Sequence, residues 1–103
     1  MKNDRALQML SIAQRAGKVA SGEFMTETSV KEGKSHLVII AGDASDNTKK
    51  KFTDMCAFRD VPILIYSNRD DLGRAIGKEF RSSLSVNDEG LALEIRKKAT
   101  EVV

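Results

Sequence analysis

The chain is poor in the residues that most often announce chemistry. Its 103 residues include one cysteine, Cys56, which excludes an intrachain disulfide and a cysteine-rich zinc site. There is one histidine, His36, so the commonest route to a metal site or to a nucleophile–base pair is missing. Tryptophan is absent, and four Phe and one Tyr are too few for a broad stacking platform for single-stranded nucleic acid. No apolar run approaches the ~20 residues of a membrane span, and the opening MKNDRALQML has no apolar secretory core. A reducing, cytoplasmic setting with no membrane partner is therefore expected. Neither sign of charge dominates: 17 Lys and Arg stand against 15 Asp and Glu, leaving +2. That balance excludes an acidic-tail protein and does not by itself announce a nucleic-acid binder.

What the chain does have is pattern. Hydrophobic residues make up 41% and charged residues 31%, a balance that builds a compact core, and the length fits a single domain over 1–103. Ala6, Met9, Leu10 and Ala13 recur at helical spacing and predict a helix over 3–16, capped by Asn3 or Asp4 and closed at Gly17. Lys18-Val19-Ala20 reads as a very short strand. A second helix is expected over about 22–31, with Phe24, Met25 and Val30 as its apolar residues and Gly33 as its stop. The continuous apolar run over 36–41 predicts a central strand buried on both faces. Asp46 or Asn47 is expected to cap a third helix through Arg59, with Phe52, Met55 and Cys56 on one face and Lys49, Lys50 and Lys51 in its first turn. Pro62 opens a strand over 63–66, where a missing N–H is tolerated. Asn68 caps a short helix carrying Leu72, Ala75 and Ile76 and ending at Gly77; a strand over 82–86 follows. Leu91, Ile95, Ala99 and Val102 trace a terminal helix. This alternation predicts an α/β fold, a three-layer α/β/α sandwich.

In such folds ligands meet the loops at one end of the sheet, and three loops are candidates: 18–24, 42–49 and 77–83. The first pairs Gly17 and Gly22 with Lys18 near a helix N-terminus, which suits an anion; two glycines serving turns suit the sequence equally well. Asp43 stands where a phosphoacceptor aspartate would, yet no acidic pair follows the first strand. A lysine run in a first helical turn opposes the helix dipole, which hints at phosphate contacts against the commoner reading of a solvated face. Cys56 has core spacing, and His36 has no second ligand beside it. No phosphate-loop, dinucleotide or metal-ligand motif is present, and no acid, base and nucleophile converge. The expectation is a protein without catalytic activity, cofactor or metal.

Three segments then carry a resemblance: LQMLSIAQRAGKVASG, VKEGKSHLVIIAGDAS with NTKKK, and VPILIYSNRDDLGRAIG. Together they resemble the kink-turn RNA-binding ribosomal-protein family, the L-seven-Ae/L-thirty-e group, and within it short bacterial members called YlxQ-like. The resemblance runs over nearly the whole chain. It implies a ribosomal L-thirty-e-like fold with a four-stranded mixed sheet that grips a sharply bent RNA internal loop. Family members use the start of the second helix, the loop after the central strand and the loop after the LGRAIG helix. Gly22 matches the family's glycine. The family's Asn-Glu pair, with Lys three residues on, reads sheared G·A pairs; those positions here are Phe24, Met25 and Thr28, and Glu23 sits one residue off. The matching amide, carboxylate and ammonium are thus absent. Arg69 falls where the family carries a basic residue. Lys78, Phe80 and Arg81 lie in the loop that the family packs against an extruded nucleotide, where Phe80 suits either a stacking contact or the core. Gly42, Asp43 and Ser45 occupy the loop after the central strand, and Lys18, Lys34, Lys49, Lys50 and Lys51 would add phosphate contacts. The implied partner is structured, ribosomal RNA, with association with the ribosome, and Lys18, Arg69, Lys78 and Arg81 are expected on one rim. The alternative is a protein-interaction module that kept the fold, with Phe24 and Met25 as its apolar patch. The sequence leaves the oligomeric state open.

Overall fold

In the computed structural model, which describes residues 4–101, helices and strands alternate along the chain. They are α1 (Arg5–Arg15), β1 (Val19–Ser21), α2 (Glu23–Lys31), β2 (Leu37–Ile40), α3 (Asp46–Arg59), β3 (Ile63–Ile65), α4 (Arg69–Ala75), β4 (Ser83–Val86) and α5 (Glu89–Thr100). The sheet order is β1-β4-β2-β3, with β2 parallel to β3 and β4 antiparallel to both β1 and β2. Strands β1, β2 and β3 therefore point one way and β4 the other. Helices α2 and α3 pack together, while α1 packs on α5 and α4, giving the expected three-layer α/β/α sandwich around a mixed sheet.

Four of the helices start where a short polar side chain satisfies a free backbone donor. Asp4 accepts from Leu7 N, Ser45 from Thr48 N, Asn68 from Asp71 N and Asp88 from Leu91 N. The cap of α3 is Ser45 rather than Asp46 or Asn47, because the hydroxyl of Ser45 precedes the turn and the other two lie inside it. Lys49, Lys50 and Lys51 consequently begin after the first turn, beyond the region where the dipole opposes them. Asn3 and Val102, named above as cap and core residue, lie outside the described residues.

The four residues of β2 are all buried, and with Leu10, Phe52, Leu72, Leu84 and Ile95 they form one continuous core. Phe52 is fully enclosed, so Phe52→Ala should cost about 3–5 kcal/mol, read as a lower urea midpoint at unchanged slope. Cys56 is buried beside it, and burial pushes its thiol up to about 11, which suits a small hydrophobe and not a nucleophile.

Of the three apolar residues of helix α2, only Val30 is buried. Thr26, Ser29 and Val30 are buried, whereas Phe24 is 77% and Met25 49% exposed. The cause is the surface under the helix: α2 packs on β4, whose sequence SLSV alternates polar and apolar residues. There the Ser85 hydroxyl lies 2.7 Å from that of Ser35 and donates to Asn87 Oδ1 (2.6 Å), while Asn87 Nδ2 donates to Ser29 Oγ (3.1 Å). Ser29 on the helix joins this chain of hydroxyls and amide, which phenylalanine could not do, while the Thr26 and Ser83 hydroxyls are buried without a hydrogen-bond partner.

Candidate nucleic-acid interface

With β1, β2 and β3 parallel, their C-terminal ends open on one rim of the sheet, and β4 begins there. Backbone hydrogen bonds tie the rim together. Gly22 N donates to Ser83 O (3.0 Å), Ala41 N to Ser82 O (2.9 Å), Gly42 N to Ser67 O (2.9 Å) and Arg81 N to Arg69 O (3.1 Å). Gly22 turns the chain from β1 into α2 at φ +92°, a conformation open chiefly to glycine.

Asp43 is a pin within the rim. Its carboxylate accepts from Arg69 N (2.9 Å) and from Arg69 Nε (3.4 Å). The Arg69 backbone N–H, ahead of the guanidinium, holds the carboxyl below the usual carboxylate range. A carboxylate engaged in fixing the start of α4 is not arranged as a phosphoacceptor. Held in this way, the Arg69 guanidinium carbon stands 6.0 Å from the centroid of the Phe80 ring. Phe80 itself is 62% exposed, which decides between the two places open to it: it belongs to the surface.

The Phe80 loop is pressed onto α4 at Gly73. A Cβ there would lie 1.3 Å from Glu79 O, and Lys78 N donates to Gly73 O at 2.8 Å. Beyond the ring, Arg81 Nε donates to Ser21 Oγ (3.1 Å) and Arg81 Nη1 to Phe80 O (2.7 Å), which links the loop to the end of β1.

The rim thus gathers Gly22, Glu23, Phe24, Met25, Ser45, Arg69, Lys78, Phe80 and Arg81. Ser45 uses its hydroxyl to cap α3, and Thr28 lies one turn inside α2 with its hydroxyl donating to Phe24 O (2.9 Å). Lys49 lies one turn inside α3. Among the described residues Lys49, Lys78 and Arg81 have no ion-pair partner.

Other expected members are elsewhere. Lys18 lies at the opposite end of the sheet, where its carbonyl accepts from Asn87 N (2.8 Å), because β1 runs between it and Gly22. The segment 18–24 is therefore not one loop, and Gly17 with Lys18 cannot share an anion with the start of α2. Lys34 is paired with Glu32 (3.1 Å), and Lys50 with Asp54 (2.9 Å). Lys51 reaches Glu27 at 2.6 Å and Glu23 at 3.8 Å, so it binds α3 to α2 instead of facing solvent alone.

The structural role of Glu27 is not legible in the sequence beyond its helical spacing from Lys31. It accepts from Lys31 (2.6 Å) and Lys51, and these two ammonium groups lower its pKa to about 2 from 4.5. A carboxylate depressed in the folded state stabilises above its unfolded pKa and stops doing so as pH falls through the folded one. Wild type should exceed Glu27→Gln in urea midpoint at neutral pH, and the gap should close between about pH 4.5 and 2.

Sheet order, the two helical layers and the hydrogen-bonded rim define a small α/β/α sandwich of the ribosomal L-thirty-e-like type. The sequence model of the ribosomal protein L7Ae/L30e/S12e/Gadd45 family matches residues 4–95. The chain belongs to that family. An RNA-binding protein YlxQ from Bacillus subtilis (strain 168) is 43% identical over 84 residues, covering 82% of this chain and 84% of the relative. A large ribosomal subunit protein eL8 from Thermoplasma volcanium is 28% identical over 102 residues, 98% of this chain and 84% of its own. Among solved structures, one from Bacillus halodurans, described as a protein with unknown function, superposes with a TM-score of 0.93 at 35% identity, covering 96% of this chain and 100% of that one. The Giardia lamblia 15.5kD RNA binding protein shares the fold, with a TM-score of 0.77 at 23% identity over 90% of this chain and 80% of that chain.

Proposed function

We propose that this protein binds structured RNA without catalysis, through the rim formed by the start of α2, the loop after β2, Arg69 and the loop before β4. The observation that carries this reading is the cross-bonding of separate loops, which brings Arg69, Lys78 and Arg81 together with the exposed Phe80. Cations on a pre-arranged frame suit phosphates, and exposed rings suit unpaired bases. The names of the relatives agree with it. The site residues are Gly22, Glu23, Phe24, Met25, Ser45, Lys49, Arg69, Lys78, Phe80 and Arg81, with Thr28 behind the first turn. Ribosomal RNA is the partner class we favour, in a cytoplasmic, ribosome-associated setting.

Filter binding to structured RNAs over a salt series tests this. Affinity should fall steeply with salt, since every phosphate neutralised releases counterions. Retention that does not depend on salt, or no retention at all, would overturn the reading. A second reading, a protein-interaction module on the same fold, is favoured by one observation, the adjacent exposure of Phe24 and Met25. A partner or an association state abolished by Phe24→Asp, with RNA binding absent, would select it.

A further inference from the structure

The inner strands of the sheet, β2 and β4, are buried throughout, and the outer ones, β1 and β3, are not. Val38 N donates to Pro62 O and Tyr66 N to Ile40 O, both at 2.9 Å, so residues 62, 64 and 66 turn their main chain toward β2. Main-chain groups alternate sides along a strand, so Ile63 and Ile65 turn theirs away from the sheet. Among the described residues neither the N–H nor the C=O of these two has a hydrogen bond. Folded proteins guard such open edges with a lysine, a proline or a bulge. The β3 edge has no such guard. Residues 61–68, VPILIYSN, carry no charge, and the register Val38↔Ile63, Ile39↔Leu64, Ile40↔Ile65 runs without a bulge. The missing N–H of Pro62 belongs to the side that faces β2, so it leaves the outer side intact. The other edge, β1, is flanked by the charge of Lys18 and stops at the turn of Gly22.

The edge is complementary to itself. A second copy turned about a two-fold axis through Leu64, perpendicular to the sheet, runs its β3 antiparallel to the first. Its Ile65 then stands opposite Ile63, and its Ile63 opposite Ile65. These are the residues with outward main chain on both sides, so each pair exchanges both of its N–H···O bonds. A slip by one residue would oppose them to groups already bonded to β2. Ile63 and Ile65, two residues apart, share a face of the sheet, and the rotation keeps that face. Ile65, 48% exposed, therefore gains Ile63 of the copy as a cross-strand neighbour, a favourable pair of β-branched side chains. The seam is matched in charge as well, since an uncharged stretch meets its own uncharged copy.

We infer that the β3 edge is a pairing surface for a second copy of this chain, joining two four-stranded sheets into one across antiparallel β3 strands. So short a strand makes a weak contact, with half of the chains paired at about 1 mM, a concentration that copies held close together on one RNA reach locally. The pairing does not rest on the function proposed above. The axis sets the two rims at opposite ends of the joined sheet.

Sedimentation equilibrium of the whole protein without RNA, over a concentration series up to about 2 mM, tests this. The mean mass should rise toward that of two chains. The amide signals of Ile63 and Ile65 should shift with concentration, while that of Leu64, which faces β2, stays in place. Ile65→Lys alters an exposed side chain and sets ammonium groups in the seam, so it should raise the dissociation constant about tenfold or more at a nearly unchanged urea midpoint. Ile65→Val keeps a β-branched apolar contact and should associate like wild type. A protein that stays at the mass of one chain overturns the inference, and so does one whose two amides move only when an extended peptide is added. Association that survives Ile65→Lys, or that leaves the Ile63 and Ile65 amides unmoved, also overturns it, because another surface then joins the copies. None of these outcomes decides the salt-dependent RNA binding proposed above, which is measured separately.

Discussion

RNA affinity should fall by about two orders of magnitude in a protein carrying Arg69→Gln, Lys78→Gln and Arg81→Gln, at about one kcal/mol for each charge-assisted hydrogen bond removed. The slope of log affinity against log salt should flatten by about 2–3, because three phosphates no longer release counterions on binding. Backbone bonds that the substitutions leave in place, Arg69 N to Asp43, Arg81 N to Arg69 O and Lys78 N to Gly73 O, keep the rim joined, while the side-chain bonds of Arg69 to Asp43 and of Arg81 to Ser21 and Phe80 O are lost. A modest loss of stability is expected, and a urea titration separates it from the loss of affinity. The matching control is Lys18→Gln with Lys34→Gln at the far end of the sheet. Those two carry the same kind of charge and should leave affinity and slope unchanged. Equal weakening by both sets would mean that binding follows total charge, and the rim would lose its assignment.

Gly73→Ala should be among the most damaging single changes in the molecule, although it adds one methyl group. The new Cβ would stand 1.3 Å from Glu79 O and 3.2 Å from Lys78 O, both of them backbone atoms. No rotamer change relieves such a clash, so either α4 or the loop must move, at a cost at or above the usual 1–3 kcal/mol of overpacking, say about 3 kcal/mol. Gly77→Ala makes the comparison informative. Gly77 has φ +74° with open space around its missing Cβ, so its cost is the left-handed conformation alone, about 1–2 kcal/mol. Unfolding midpoints should rank Gly73→Ala well below Gly77→Ala. The first change should also weaken RNA binding at temperatures where the protein stays folded, because Phe80 and Arg81 ride on the displaced backbone. A Gly73→Ala protein as stable as Gly77→Ala, with unaltered binding, would show that this close approach has no role.

Much of the fold is legible in the sequence because its causes are short-range. The run Leu37-Val38-Ile39-Ile40 reads as a doubly covered strand on its own, and it is buried throughout. Asp4 and Asn68 cap helices with donors three residues away, and Gly77 ends α4 in the left-handed conformation. The expectation that Lys18, Arg69, Lys78 and Arg81 share one rim comes instead from the resemblance to the family, and it fails for Lys18. The exceptions share a physical origin. Hydrophobic content does not tell that Thr26 and Ser29 are the buried residues of α2 and that Phe24 and Met25 are exposed; that follows from the packing of the helix on β4, whose residues alternate serine with apolar side chains. Lys18 falls at the wrong end of the sheet because three residues suffice to cross it, and a strand that short leaves little periodicity to read.

By itself, then, the sequence determined where helices and strands lie and how most of them start and stop, since caps, turns and periodicity act within a few residues; the family followed from the resemblance of three longer segments. Only the tertiary structure decided which charges are free and which are committed. Lys51 is consumed by Glu27 across two helices, Asp43 by Arg69 across 26 residues, and Phe80 is fixed by a glycine on the facing helix. Those outcomes depend on the insertion of β4, running backwards, between β1 and β2, which sets the ends of distant segments against one another. Strand order is a property of the whole packed sheet, and no local stretch of the chain encodes it.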